Sequence, residues 1–273
     1  MAQQGLRQRS WGRLFGADCG SALRGAPAAA AGALMACLSL PAAAAQDPDD
    51  PAMSWPEIPM QMDCAALAAS LSYPNAEFVS STPVASGVLA FGGKPVPAHC
   101  QLLGSLDNRT GAIDGQHYAI GFEMRLPITW NGRYFYQANG GIDGNVVTAT
   151  GSTSGGGPLT SALLKGFAVI SSDAGHSAAQ NPTFGIDPQA RLDYGYEAVG
   201  KLTPMAKSVI AQAYGEGPLR SYIGGCSNGG RHTMVAAARF AAEYDGFLVG
   251  SPGFNLPKAA VRSMFRGQNW AAL

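Results

Sequence analysis

Between Ser221 and Arg231 the chain reads Ser-Tyr-Ile-Gly-Gly-Cys-Ser-Asn-Gly-Gly-Arg. Gly225-Cys226-Ser227-Asn228-Gly229 within it is a Gly-x-Ser-x-Gly pattern, which points to Ser227 as a nucleophile for attack on a carbonyl. The chemistry needs a serine hydroxyl held out at the tip of a sharp turn. It also needs backbone N–H groups aimed at the oxyanion that forms on attack. Glycines two residues either side of the serine suit such a turn, because side chains there would collide. The amide of Asn228, at the start of a following helix, is one expected oxyanion donor. With 36 glycines in 273 residues a bare pattern match is weak, and a glycine-rich strand-to-helix turn is the bland alternative.

The elements around the motif decide between the two. Tyr222-Ile223 before it suits a strand, and Met234 to Phe240 after it suits a helix, the context a nucleophile elbow requires. Upstream, Tyr118 to Leu126 alternates and stops at Pro127, and Trp130 to Arg133 reads as a turn. Tyr134 to Gln137 reads as a strand running into Asn139-Gly140-Gly141-Ile142-Asp143-Gly144, and Tyr134 and Tyr136 read as sheet packing. A glycine-rich loop directly after a strand lets backbone amides approach a ligand. Gly151 to Gly157 is a second such loop, and Leu159 to Leu164 suits a short helix. Phe167 to Ser171 and Phe247 to Gly250 are apolar runs of the kind buried in parallel sheets. Asp187-Pro188 opens a helical stretch to about Tyr214, with a break expected at Pro204. Earlier still, Asp63 to Ser70 suits a short helix capped by Asp63. Phe78 to Phe91 suits edge strands, and Leu102 to Leu106 a strand ending in a polar turn from Asp107 to Gly115. Asn108-Arg109-Thr110 matches a glycosylation sequon, a triplet common by chance. Strands alternating with helices predict an α/β sheet, mostly parallel.

Net charge is zero, and charged residues are 13% of the chain, below the ~25% of average soluble proteins. Nothing in that balance suggests a nucleic-acid partner. Residues 1–45 read as an export leader: Arg7, Arg9, Arg13 and Arg24 in front, an apolar run from Ala26 to Leu40, then Ala43-Ala44-Ala45. The apolar run is too short to span a membrane. Secretion or a periplasmic location is the first expectation, and a lipid anchor at Cys37 the second. Residues 46–62, rich in Pro and Asp at their start, read as a linker, leaving 63–273 as a catalytic domain. Outside the leader stand three cysteines, and Cys64 and Cys100 are expected to pair. Cys226 is left over.

The four histidines have no metal-ligand spacing, and no zinc site is expected. His176, in Ser172-Asp173-Ala174-Gly175-His176, is expected as a loop histidine near the pocket rim rather than part of a rearranged triad with Asp173. His232 is expected on the elbow helix, turned away from the serine. His99 and His117 read as surface residues. Arg231 is expected to meet nearby carbonyls or Asp245, or to face solvent. After Ser227 come Glu243 and Asp245, but no histidine beyond His232. In α/β-hydrolases the acid and then the histidine follow the serine. The fold is therefore expected to be an incomplete α/β-hydrolase, with the C-terminal triad strands missing.

From about Cys64 onward the chain resembles the tannase/feruloyl esterase family of α/β-hydrolases. The resemblance rests on Trp130-Asn131-Gly132-Arg133, Ser172 to His176, Phe184 to Arg191, Gly225 to Arg231, Tyr244-Asp245-Gly246 and Gly250-Ser251-Pro252-Gly253. It implies Ser227 as nucleophile and the amides of Asn228 and Gly141 as the oxyanion hole. It implies a disulfide from Cys226 to a cysteine just before the catalytic histidine, absent here. It also implies a lid domain that holds the aromatic acyl group and a Ca²⁺, likewise absent, so no cofactor is expected in this stretch. The implied activity is hydrolysis of small aromatic esters of feruloyl, galloyl or terephthalate type through an acyl-enzyme. This chain alone is expected to be nearly inactive. The alternative is a non-catalytic remnant or binding module of the same fold; a protease or thioesterase is a third possibility.

Overall fold

The structure is a computed structural model that describes residues 55–153 and 160–271. The leader with Cys19 and Cys37, most of the second glycine loop and the start of the helix expected at Leu159 lie outside the described residues.

The first elements are β1 (Ile58–Pro59), α1 (Cys64–Ser70), β2 (Ala76–Val84), β3 (Ala90–Phe91), β4 (Lys94–Pro95), β5 (His99–Thr110) and β6 (His117–Pro127). Then come β7 (Thr129–Trp130), β8 (Arg133–Ala138), β9 (Ala168–Ser172), α2 (Pro188–Leu192) and α3 (Ala198–Tyr214). Last are β10 (Arg220–Cys226), α4 (Asn228–Arg239), β11 (Gly246–Gly250) and α5 (Leu256–Ala271). A seven-stranded sheet runs in the order β11-β10-β8-β9-β6-β5-β2. Its β9, β8, β10 and β11 are parallel. Its β2, β5 and β6 are antiparallel, and β6 meets β9 antiparallel. The sheet is therefore mixed rather than mostly parallel: helices cross over only in its second half, whereas in the first half β2 reaches β5 through the β3–β4 hairpin and β5 reaches β6 through a turn at 111–116.

Several elements depart from the expectations. β5 does not stop at Leu106; a bulge with Asp107 at φ 55° lets it continue to Thr110. Pro204 does not break α3. The irregularity lies earlier, in a π-helical turn at Asp193–Glu197, where the carbonyls of Tyr194 and Gly195 turn out to accept from Arg231. Asp63 precedes α1 without a side-chain cap; its carbonyl accepts from Ala66 N instead. β11 is not a buried strand: Leu248 is 56% exposed and Val249 38%, because among the described residues no further strand pairs with β11. Residues assigned by composition to the linker are tied to the domain. β1 pairs with β7, Met60 N donates to Ile128 O, and Gln61 N to Ala213 O.

The main core lies between the sheet and α3, with α1 at its margin. Leu202, Met205, Val209 and Ile210 pack there against strand residues such as Ile120, Met124 and Ile170. Trp130 stacks on Tyr214 at 4.6 Å. Tyr134 and Tyr136 are buried in the sheet. A smaller core on the other face gathers Val96, Phe135, Ala149, Leu163 and Val169. Cys64 and Cys100 form a disulfide that fastens α1 to β5. Among the described residues no helix is long and apolar enough to cross a membrane.

Candidate active site

β10 ends at Cys226 and α4 begins at Asn228, so Ser227 alone makes the turn. Its backbone sits at φ 59°, ψ −117°, a conformation that L residues avoid. Such a residue costs on the order of 1–3 kcal/mol and persists only where its surroundings hold it. Here the holding groups are visible. Ser227 N donates to Gly250 O at 2.9 Å, and Ser227 O accepts from Gly253 N at 3.1 Å and Arg231 N at 3.0 Å. The flanking glycines are required by contact. A β-carbon on Gly225 or Gly229 would run into the carbonyl of Ala138 at the end of β8. The backbone of β8 thus lies directly against the turn.

The Ser227 hydroxyl makes no hydrogen bond to any described residue. It lines a cleft of about 440 Å³ with Gln137, Asn139, Gly140, Asp143 and Cys226; the loop from Val147 to Thr153 forms another wall. The cleft opens at the C-terminal ends of β8 and β10, where α/β folds place ligands. Gly140 lies on its lining and Gly141 is the exposed next residue, at φ 69°. Asn228 is buried at the first position of α4, where the helix offers its amide no carbonyl. Cys226 is half-buried and carries no disulfide among the described residues.

Polar groups beneath the cleft fix its loops. The Gln137 carboxamide donates to Thr148 O and Asn139 Oδ1 and accepts from Gly151 N. Asn139 Nδ2 donates to Ser171 Oγ and Ser172 O. Glu123 accepts from Ala149 N at 2.9 Å and from Arg125 Nε at 2.6 Å. Arg125 Nη1 in turn donates to His99 Nε2. His99 is therefore buried, not a surface residue, because β5 lies inside the sheet beside β6. Burial lowers its pKa. His117 is exposed, as expected.

His176 is buried, stacked on Phe184, and its Nε2 donates to Ile142 O at 2.9 Å. Asp173 accepts instead from the amides of Gly121 and Gly175. The rearranged triad therefore does not form. Burial pushes the Asp173 carboxyl up to about 7, against the pull of those two amides. Arg231 meets carbonyls, those of Tyr194 and Gly195, and Asn228 Oδ1. Asp245 binds Ser221 N and lies near Arg220 instead. His232 is buried on α4, but its partner is distant in sequence: Nε2 donates to Asp143 Oδ2 at 2.8 Å. Asp143 was legible only as part of a glycine loop; its left-handed backbone, φ 54°, and its partners across the chain come from the fold alone. Among the described residues no three acidic, imidazole or thiol side chains converge on a metal site. Among the described residues nothing fits the Ca²⁺ implied by resemblance.

A family model described as tannase and feruloyl esterase matches residues 100–270. Mono(2-hydroxyethyl) terephthalate hydrolase of Piscinibacter sakaiensis is 43% identical over 184 residues, 64% of this chain and 30% of the relative. A probable feruloyl esterase B-2 of Aspergillus flavus is 33% identical over 130 residues, 48% of this chain and 23% of the relative. The crystal structure of feruloyl esterase B from Aspergillus oryzae superposes with a TM-score of 0.59 at 26% identity, over 71% of this chain and 37% of that one. The chain thus spans about a third or less of the length of the proteins it matches.

Proposed function

Since the chain belongs to the tannase and feruloyl esterase family, with the α/β-hydrolase fold, we propose that it carries the nucleophile half of an exported carboxylic ester hydrolase. Ser227 attacks the ester carbonyl and forms an acyl-enzyme; an alcohol leaves, and water releases the acid. The observation that carries this reading is the strained turn at Ser227, its hydroxyl unbonded and open to the cleft. The amides of Asn228 and Gly141 hold the oxyanion. Gly141 N belongs to the peptide unit that starts at Gly140, on the cleft lining beside Ser227.

The general base and its orienting acid come from outside the described residues. His176 and His232 are committed to Ile142 and Asp143, and neither bonds Ser227. The partner of Cys226 and the Ca²⁺ belong there too. An aromatic acyl group suits the relatives, which are named for feruloyl and terephthalate esters. The leader, residues 1–45, directs export. By itself the 273-residue chain retains little more than the ~10³–10⁴ over water that remains without a triad.

Labelling with a fluorophosphonate tests the assignment. The protein expressed from its complete gene is labelled at Ser227 and hydrolyses methyl ferulate; a Ser227→Ala variant does neither. Labelling that survives Ser227→Ala overturns the assignment. The 273-residue chain hydrolysing methyl ferulate as fast as the product of the complete gene would overturn the division of the site.

A further inference from the structure

Gly140-Gly141-Ile142-Asp143-Gly144 is held at its far end by four separate contacts. Ile142 O accepts from His176 Nε2, and Asp143 O accepts from Asn181 Nδ2 at 3.2 Å. Gly144 N donates to Asp173 O at 3.0 Å. The fourth contact is the Asp143 side chain, only 2% exposed, whose Oδ2 accepts from Asn228 Nδ2 at 2.7 Å and from His232 Nε2 at 2.8 Å. Three of the four go to the segment from Asp173 to Asn181, which the catalytic reading leaves without a task. The fourth goes to α4, to the residue directly after Ser227.

The carboxamide of Asn228 is gripped at both ends. Arg231 Nε donates to its Oδ1 at 2.7 Å, Tyr194 OH donates to the same atom at 3.2 Å, and its Nδ2 donates to Asp143. Arg231 is itself fixed by Tyr194 O and Gly195 O and lies over the Tyr194 ring at 4.6 Å. Charge-assisted bonds to a guanidinium and a carboxylate hold an amide more tightly than neutral bonds do. Asp143 bears this load in left-handed backbone, at φ 54°. Strain of that kind is retained where the side chain's position matters more than backbone comfort.

We propose that Asp143 is the positioning residue of the oxyanion hole: its carboxylate locks the Gly140–Gly144 loop to Asn228, so that the amides of Gly141 and Asn228 stay at one fixed separation. Asp143 acts through those two residues and bonds neither ester nor hydroxyl. The proposal rests on the esterase reading above. Misplacement of a donor by about 1 Å costs on the order of 10²-fold in rate. Oxyanion donors act on the transition state, so the loss falls on kcat and spares KM.

The test uses the protein expressed from its complete gene, with methyl ferulate as substrate and kcat expressed per fluorophosphonate-labelled serine. Asp143→Ala is expected to lower kcat about 100-fold with KM within about threefold. Asp143→Asn keeps an oxygen for Asn228 Nδ2 and is expected to recover part of that loss. If Asp143→Ala fails to fold, Asp143→Asn alone decides, with kcat lowered and KM kept as the supporting result. Unchanged kcat per labelled serine in a folded variant overturns the proposal and leaves the esterase reading standing. A rise in KM with kcat kept overturns it as well. A wild-type protein that neither labels nor hydrolyses overturns the esterase reading itself, and the proposal with it.

Discussion

Ser227 N donates to Gly250 O at 2.9 Å, so the turn bearing the proposed nucleophile is fastened to the end of β11 rather than held by its own loop alone. Ser227 O accepts from Gly253 N, just beyond the same strand end. These two bonds supply the outside restraint that a strained residue needs. They also make the serine's position depend on the packing of β8, β10 and β11 together.

Gly229→Ala should break that packing. Its β-carbon would overlap the Ala138 carbonyl, a backbone atom that cannot swing aside. Overpacking of this kind costs about 1–3 kcal/mol. Denaturant unfolding should show the loss, and fluorophosphonate labelling of Ser227 should fall with it. Gly195→Ala is the contrast: nothing lies within 4 Å of its β-carbon, and φ is not positive. In its helical turn that change should stabilise by about 0.5–1 kcal/mol. Equal effects from the two substitutions would refute the packing argument.

Asp173 makes the fold less stable as pH rises between about 4 and 7. Its carboxyl titrates near 7 in the fold against 3.8 in the open chain, chiefly because of burial. Between those values the folded state holds more protons than the unfolded state, so stability falls as pH rises from about 4 through 7 and then levels off. Asp173→Asn should remove that slope and leave the variant more stable than wild type at pH 8, by up to roughly 4 kcal/mol. His99 and His176 act in the opposite direction, since burial lowers both pKa values. Their contribution is lost as pH drops below the ordinary imidazole value. Unfolding free energies of wild type and Asp173→Asn measured from about pH 4 to 8 isolate the carboxyl's share; a fall in stability with rising pH that persists unchanged in Asp173→Asn would contradict the assignment.

Glu123→Ala should cost stability and disturb the cleft at once. Removal of one member of a buried, hydrogen-bonded ion pair costs about 3–5 kcal/mol, since Arg125 would be left uncompensated. The same carboxylate accepts from Ala149 N, so the loop from Val147 to Thr153 should exchange its amide hydrogens faster. Hydrogen-exchange mass spectrometry reads this directly. Unchanged protection of that loop would show that Gln137 holds it without Glu123.

The legible part of the fold was the local part. The glycines around Ser227, the strand before it and the helix after it stand within one short stretch, and each was read in place. The disulfide between Cys64 and Cys100 was readable because outside the leader only Cys226 competed for a partner. What misled was composition without neighbours. An apolar run at Phe247 to Gly250 read as buried, yet exposure depends on whether another strand lies alongside. His99 read as a surface residue beside a cysteine, yet β5 places it under Arg125. Pro204 read as a break, although α3 carries it without interruption and the irregular turn lies near Arg231.

By itself the sequence determined the strand–turn–helix around Ser227, several of the strands and helices along the chain, and the family. These are encoded in short spacings, where backbone geometry leaves few choices. Only the tertiary structure decided that Asp143 meets Asn228 and His232 across 85 and 89 residues, that no described strand lies beyond β11, and that the sheet is half antiparallel. Contacts of that range are selected by how whole elements pack. No local pattern of residue types specifies which polar group will be facing which when the packing is complete.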